Sequence, residues 1–163
     1  MSDIELFNKI NELFEYFNGY LIRKKQTSSR SLIGKIAGTL NPSGYIRVQI
    51  SGKFYPVHKL VYLIKNKVYP KYIDHINGNR ADNRIENLRE VTPTQNQYNK
   101  KIGKSNTSGI KGVCFDKRRN KWTASLYLNG KQRTLGRFDD IELARAVVQE
   151  ARNKHHGEYA NHG

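Results

Sequence analysis

The chain has 163 residues, 29 Lys and Arg against 14 Asp and Glu, a formal net charge of +15 and a pI near 10.0. That balance calls for a polyanionic partner, nucleic acid or an anionic membrane surface, and a mean hydropathy of −0.76 with no apolar run of about 20 residues excludes a bilayer span. One cysteine, Cys114, excludes an internal disulfide and a multi-cysteine zinc site, and the acidic start without an apolar stretch excludes a secretory signal, so a cytoplasmic protein is expected.

Ser2 and Glu5 form a capping box, and Ile4, Phe7 and Ile10 follow at helical spacing, which predicts a short N-terminal helix. Asn18-Gly19 between "LFEYF" and "YLIRK" predicts a hairpin, because both residues of such a turn take positive φ. Ser51-Gly52, between "YIRVQI" and "KFYPV", predicts a second. "HKLVYLIKN" reads as a helix with Leu60, Val61 and Ile64 on one face, and His58 at its start reads as a packing or capping residue.

The segment "YIDHINGNRADNRIENLREVTPTQNQYN" (72–99) then runs as a strand to Asp74-His75, a long loop through Asn77-Gly78, and a strand near Leu88 to Val91. A helix starts at Pro93, with Thr92 as N-cap and Gln95 completing a capping box. "NKKIGKSNTSG" (99–109) is basic, small and polar, the composition of a linker.

Beyond it, "GIKGVCFD", "KWTASLYL" and "KQRTLGRF" predict a three-stranded antiparallel meander, turned at "KRRN" and at Asn129-Gly130. "DDIELARAVVQEARNKHHG" predicts a helix with Asp139 as N-cap, Glu142 at the capping-box position and Gly157 as its stop. Strand parity sends Trp122, Ala124, Leu126 and Leu128 inward, toward Ile141, Ala144, Val147, Val148 and Ala151. Leu135 also goes inward. Lys121, Thr123, Ser125 and Tyr127, joined by Gln132 and Thr134, are left on a free polar face. Such a sheet can enter a DNA major groove, with Arg118 and Arg119 in the turn fixing phosphates and polar side chains touching base edges. Cys114 is expected to be packed, and His155 and His156 to complement the helix dipole.

The chemistry concentrates in residues 72–99. Asp74 offers a hard carboxylate oxygen and Asn96 an amide oxygen, a pair suited to Mg²⁺ or Mn²⁺. A neutral His75 imidazole could take a proton from an attacking water. An EF-hand is excluded, since Gly78 as its sixth residue would put Ile73 first and Arg84 twelfth. Asn99 is a weaker substitute for Asn96 as ligand.

"DHINGNRADNRIENLR" followed by "TPTQN" resembles the ββα-metal motif of HNH endonucleases, in the His-Asn-Asn variant of phage and intron-encoded homing enzymes. "VHKLVYL" resembles the segment that precedes that motif. His75, Asn87 and Asn96 match its three signature positions, and Asp74 the acidic position before the first. The resemblance implies that His75 is the general base, that Asp74 and Asn96 hold one divalent ion, and that Asn87 braces the loop and orients the His75 ring. "GVCFDKRRNKWTASLYLNGKQRTLGRFDDIELARAV" resembles the Apetala-type (ethylene-response-factor) DNA-binding domain. Cys114, Tyr127 and Thr134 depart from it where the plant domains carry Arg and Trp, so their base specificity does not carry over.

The expectation is thus an α+β chain: an HNH nuclease domain over 1–100, with an N-terminal helix, hairpins and the ββα-metal motif at about 69–100. A basic linker (101–108) and a DNA-binding domain (109–160), a three-stranded antiparallel sheet packed on one helix, follow. The expected activity is Mg²⁺- or Mn²⁺-dependent endonuclease cleavage, one ion per site, on double-stranded DNA. No membrane and no disulfide-linked partner is expected; the protein is read as a monomer, with a dimer left open. The rival is a non-catalytic DNA-binding regulator, less favoured because Asp74, His75 and Asn96 occur together.

Overall fold

The computed structural model describes residues 1–103 and 105–162; Lys104, within the expected linker, lies outside the described residues. Two compact units divide between Glu90 and Val91. In the first, α1 (Asp3–Leu13) starts from the Ser2–Glu5 capping box, and its buried stripe is Leu6, Ile10 and Leu13. Ile4, expected on that stripe, is exposed. β1 (Phe14–Phe17) and β2 (Tyr20–Arg23) pair antiparallel through Asn18-Gly19, at φ +44° and +87°, and β3 (Ile36–Ala37) joins β2. β4 (Thr39–Leu40), β5 (Ile46–Ile50) and β6 (Lys53–Pro56) form a second sheet, turned at Ser51-Gly52 as expected.

α2 (Val57–Asn66) buries Leu60, Val61 and Leu63 completely. β7 (Ile73–His75) and β8 (Leu88–Glu90) make a two-stranded antiparallel ribbon in which Asp74 faces Arg89 and His75 faces Leu88. Ile73 and Leu88 belong to the same core cluster as Ile10, Leu21, Val48 and Leu60. Burial of each such side chain contributes about 1.5–3 kcal/mol. The ribbon is therefore anchored by its apolar positions.

The second unit holds α3 (Pro93–Tyr98), β9 (Val113–Asp116), β10 (Lys121–Leu128), β11 (Lys131–Phe138) and α4 (Ile141–His156). Thr92 and Gln95 cap α3 reciprocally, with Pro93 in its first turn. β10 lies between β9 and β11, the expected meander. Its core joins Ile110, Val113 and Ala124 to Ala144 and Val148, with Trp122, Leu135, Phe138 and Ile141 packed around them. The pairing of β10 with β11 shifts between Ala124 and Ser125. Leu135 is the extra residue at this bulge, and it reaches the core.

Three local expectations need correction. Asp140, not Asp139, caps α4, because Asp140 Oδ1 accepts the Glu142 amide at 2.8 Å while Asp139 pairs with Lys121. Cys114 is exposed, since it sits opposite Thr123 on the face away from Val113 and Ala124. His156 does more than complement the helix dipole: it is buried and stacks on Tyr98 at 3.6 Å.

The division between units falls ahead of α3, earlier than the expected linker. Besides the Tyr98–His156 stack, Asn161 Nδ2 donates to Asn99, and Lys111 Nζ donates to the carbonyls of Tyr98, Lys100 and Asn161. These contacts join the end of α3 to the second unit.

Candidate active site

Asp74 and His75 close β7, and both are buried, at 7% and 4% exposure. Strand alternation sends the two side chains to opposite faces of the ribbon. On one face, Arg89 Nε and Nη2 donate to Asp74 Oδ2 at 3.1 and 2.9 Å. On the other, His75 Nε2 donates to Asn83 Oδ1 at 3.1 Å. An amide oxygen can only accept, so the imidazole carries a proton on Nε2 in this contact. Burial pushes the His75 imidazole below the usual histidine range, against the upward pull of the Asn83 hydrogen bond and of Asp74 and Asp82. A ring that stays neutral at pH 7 is a competent proton acceptor.

The loop between the strands is fastened at several points. Asn87 Oδ1 accepts the Asn77 amide at 3.0 Å, and Asn87 Nδ2 donates to Asn77 Oδ1 and to the Asp82 carbonyl at 3.0 and 2.8 Å. Arg84 forks onto Asp82, and the Ile85 amide donates to the Tyr16 hydroxyl. Arg80 donates to the Ser43 carbonyl and lies over the Tyr45 ring at 5.0 Å. Gly19 meets the loop at its backbone: a Cβ there would stand 2.8 Å from the Arg84 nitrogen, and φ is +87°. The tip of the first hairpin thus abuts the loop segment that carries Asn83.

Of the residues expected from the sequence, Asn87 makes the bracing contacts, whereas the amide bonded to the His75 ring belongs to Asn83. Asn83 is 1% exposed. His58, read as a packing residue, contributes a ring 5.1 Å from that of His75, and Tyr45 lies 5.1 and 6.0 Å from the two histidines. Burial, with His75 and Lys59 as lesser causes, pushes His58 down to about 3. A cleft of about 390 Å³ lined by Asn41, Tyr45, Arg47, Phe54, Pro56 and His58 opens beside it.

Asn96 is half-buried on α3, in the second unit, and Asn99 is buried with Asn161 on its side chain and carbonyl. Among the described residues no three His, Cys, Asp or Glu side chains converge as a metal cage. A buried carboxylate such as that of Asp74 has the chemistry to ligate a small hard cation, which keeps several waters and accepts phosphate oxygens.

In the second unit, Arg118 in the β9–β10 turn and Tyr127, Gln132 and Thr134 on the sheet are exposed, and Lys121 and Thr123 are half-exposed. Ser125 is the exception at 8% exposure, its hydroxyl accepting from Gln132 Nε2 at 2.8 Å. Arg119 is paired with Asp116, and Lys121 with Asp139.

A family described as HNH endonuclease matches residues 55–98, a span that includes His58, Asp74, His75, Asn83, Asn87, Arg89 and Asn96. Protein 3.8 of Escherichia phage T7 is 38% identical over 63% of this chain and 86% of its own length. Uncharacterized HNH endonuclease L560 of Acanthamoeba polyphaga mimivirus is 30% identical over 79% of this chain and 67% of its own length.

The chain belongs to the HNH endonuclease family.

A second mimivirus protein, uncharacterized HNH endonuclease L245, is 28% identical over 87% of the chain but 44% of its own length. No solved structure matches the chain. The HNH span begins ahead of α2 and ends with α3, so it crosses the division between the two units. Among the described residues no helix is long and apolar enough to cross a membrane.

Proposed function

We propose that the protein is a metal-dependent DNA endonuclease of the homing type, acting in the cytoplasm of a phage-infected cell and aimed at its substrate by the second unit. The observation that carries this reading is the His75 imidazole at the end of the β7–β8 ribbon, held neutral by burial and oriented through Nε2 by Asn83.

In this reading a water beside the scissile phosphate gives its proton to the His75 imidazole as its oxygen bonds to phosphorus. The opposite P–O ester bond breaks, and the leaving oxygen takes a proton from solvent. His75 then returns its proton to water. A positioned base of this kind contributes typically about 10²–10⁴-fold. Asp74 and Asn96 would hold one Mg²⁺ or Mn²⁺, within a ββα-metal arrangement of β7, β8 and α3. Such an ion stabilises the charge that develops on the phosphoryl and leaving oxygens. Asn87 and Asn83 keep the loop and ring in place.

The net charge of +15 supports a polyanionic substrate. For targeting, the reading uses the exposed face of the β9–β11 sheet, an Apetala-type role, with Arg118 and Arg119 on phosphates and Lys121, Thr123, Ser125, Tyr127, Gln132 and Thr134 along the groove. Burial of Ser125 makes it a support for Gln132 more than a direct contact.

The test is incubation of supercoiled plasmid and long duplex DNA with the full chain at low salt, with Mg²⁺, Mn²⁺ or EDTA. Nicked or linear product with either ion, and none with EDTA, supports the enzyme. Tight binding to DNA with intact product under all conditions supports the regulator instead.

A further inference from the structure

We propose that Arg89 is a positioning residue that couples cation binding at Asp74 to the arrival of a DNA phosphate; this rests on the reading of Asp74 as a metal ligand. The two residues are directly opposed across the β7–β8 ribbon, and Arg89 Nε and Nη2 both donate to Asp74 Oδ2. Their side chains are 15% and 9% exposed, so solvent screens the pair poorly. Arginine does not deprotonate in proteins, so its charge cannot be titrated away from the carboxylate. It can only be redirected to another anion.

A divalent cation approaching Asp74 without DNA therefore meets a carboxylate already neutralised, beside a fixed positive charge. A phosphodiester drawn to the same edge of the ribbon offers the guanidinium a second acceptor. The planar fork of arginine suits phosphate as well as carboxylate, a match that lysine lacks. As Arg89 turns toward phosphate, Asp74 gains capacity for the cation. Linkage is reciprocal, so the cation must tighten DNA by the factor with which DNA tightens the cation. The cleavage centre would load chiefly on the substrate, sparing other phosphodiesters in the cell.

The experiment is Mn²⁺ titration of the full chain without DNA, followed by electron paramagnetic resonance, for wild type, Arg89→Met, Arg89→Lys and Asp74→Asn. Arg89→Met is expected to bind Mn²⁺ about tenfold more tightly than wild type, and Arg89→Lys to stay near wild type. In a non-cleaving His75→Ala background, added Mn²⁺ should raise affinity for a labelled duplex, and Arg89→Met should remove most of that gain. Unchanged or weaker Mn²⁺ binding by a folded Arg89→Met overturns the proposal, as does an undiminished Mn²⁺ effect on DNA affinity. Arg89→Gln carries the same test should the methionine variant fail to fold. If Asp74→Asn leaves Mn²⁺ binding of both wild type and Arg89→Met intact, the assignment of Asp74 as a ligand fails instead.

Discussion

The His58 ring meets the His75 ring edge to face, with centroids 5.1 Å apart and planes at 77°. Both imidazoles are pushed below the usual histidine range chiefly by burial, His58 to about 3. The folded state therefore binds fewer protons at His58 than the unfolded chain does.

Its contribution to stability is complete above the ordinary histidine value of about 6.5 and is lost progressively as pH falls toward 3. His58→Phe removes this titration. The thermal midpoint of wild type should drop more steeply than that of His58→Phe between pH 7 and pH 5, because the variant keeps only the other histidines. Parallel pH profiles would contradict the assignment.

Asn83→Leu removes the acceptor of the His75 Nε2 proton from a site that is 1% exposed. The ring loses its fixed orientation, and the cleavage rate should fall by about 10²-fold, the scale expected for misplacing a reacting group. DNA affinity should stay near wild type, because Asn83 is out of reach of solvent. Single-turnover cleavage beside fluorescence anisotropy with labelled duplex separates the two effects.

Asn87→Ala deletes three hydrogen bonds that hold residues 77 and 82. At about 0.5–1.5 kcal/mol each, the expected loss is about 2–4 kcal/mol in denaturant unfolding of the full chain. Asn87→Asp keeps the acceptor for the Asn77 amide and should lose less. Equal losses would show that the acceptor contributes little.

Much of this is legible in the sequence. Asn18-Gly19, Ser51-Gly52 and Asn129-Gly130 announced three hairpins because their positive φ angles, +44° to +87°, restrict which residues serve there. The capping boxes at Ser2 and Thr92 are local hydrogen-bond chemistry and were equally readable. His58 and Asn83 were not. Ring contact between His58 and His75 depends on how α2 lies against the ribbon, which no local pattern encodes. Asn83 and Asn87 share a residue type and one loop, so composition cannot say which amide meets the imidazole. Arg89 followed from register alone, since strand pairing puts it opposite Asp74, but the register had to be known first.

In the β9–β10 turn of the second unit, Arg118 has no ion-pair partner among the described residues, whereas Arg119 pairs with Asp116 at 2.9 Å. If both face phosphate, Arg118→Ala should weaken duplex binding uniformly across sequences and reduce the slope of log K against log salt by about 1. Arg119→Ala should do so less, because its charge is already partly compensated. Binding measured from 50 to 200 mM salt checks this; unchanged slopes for both would remove this turn from the interface.

The most direct measurement is single-turnover cleavage of duplex DNA by wild type and His75→Ala, with Mg²⁺ or Mn²⁺, alongside their DNA affinities. The account predicts a rate loss of about 10²–10⁴-fold for the variant, with affinity preserved. Equal cleavage by His75→Ala and wild type would contradict it.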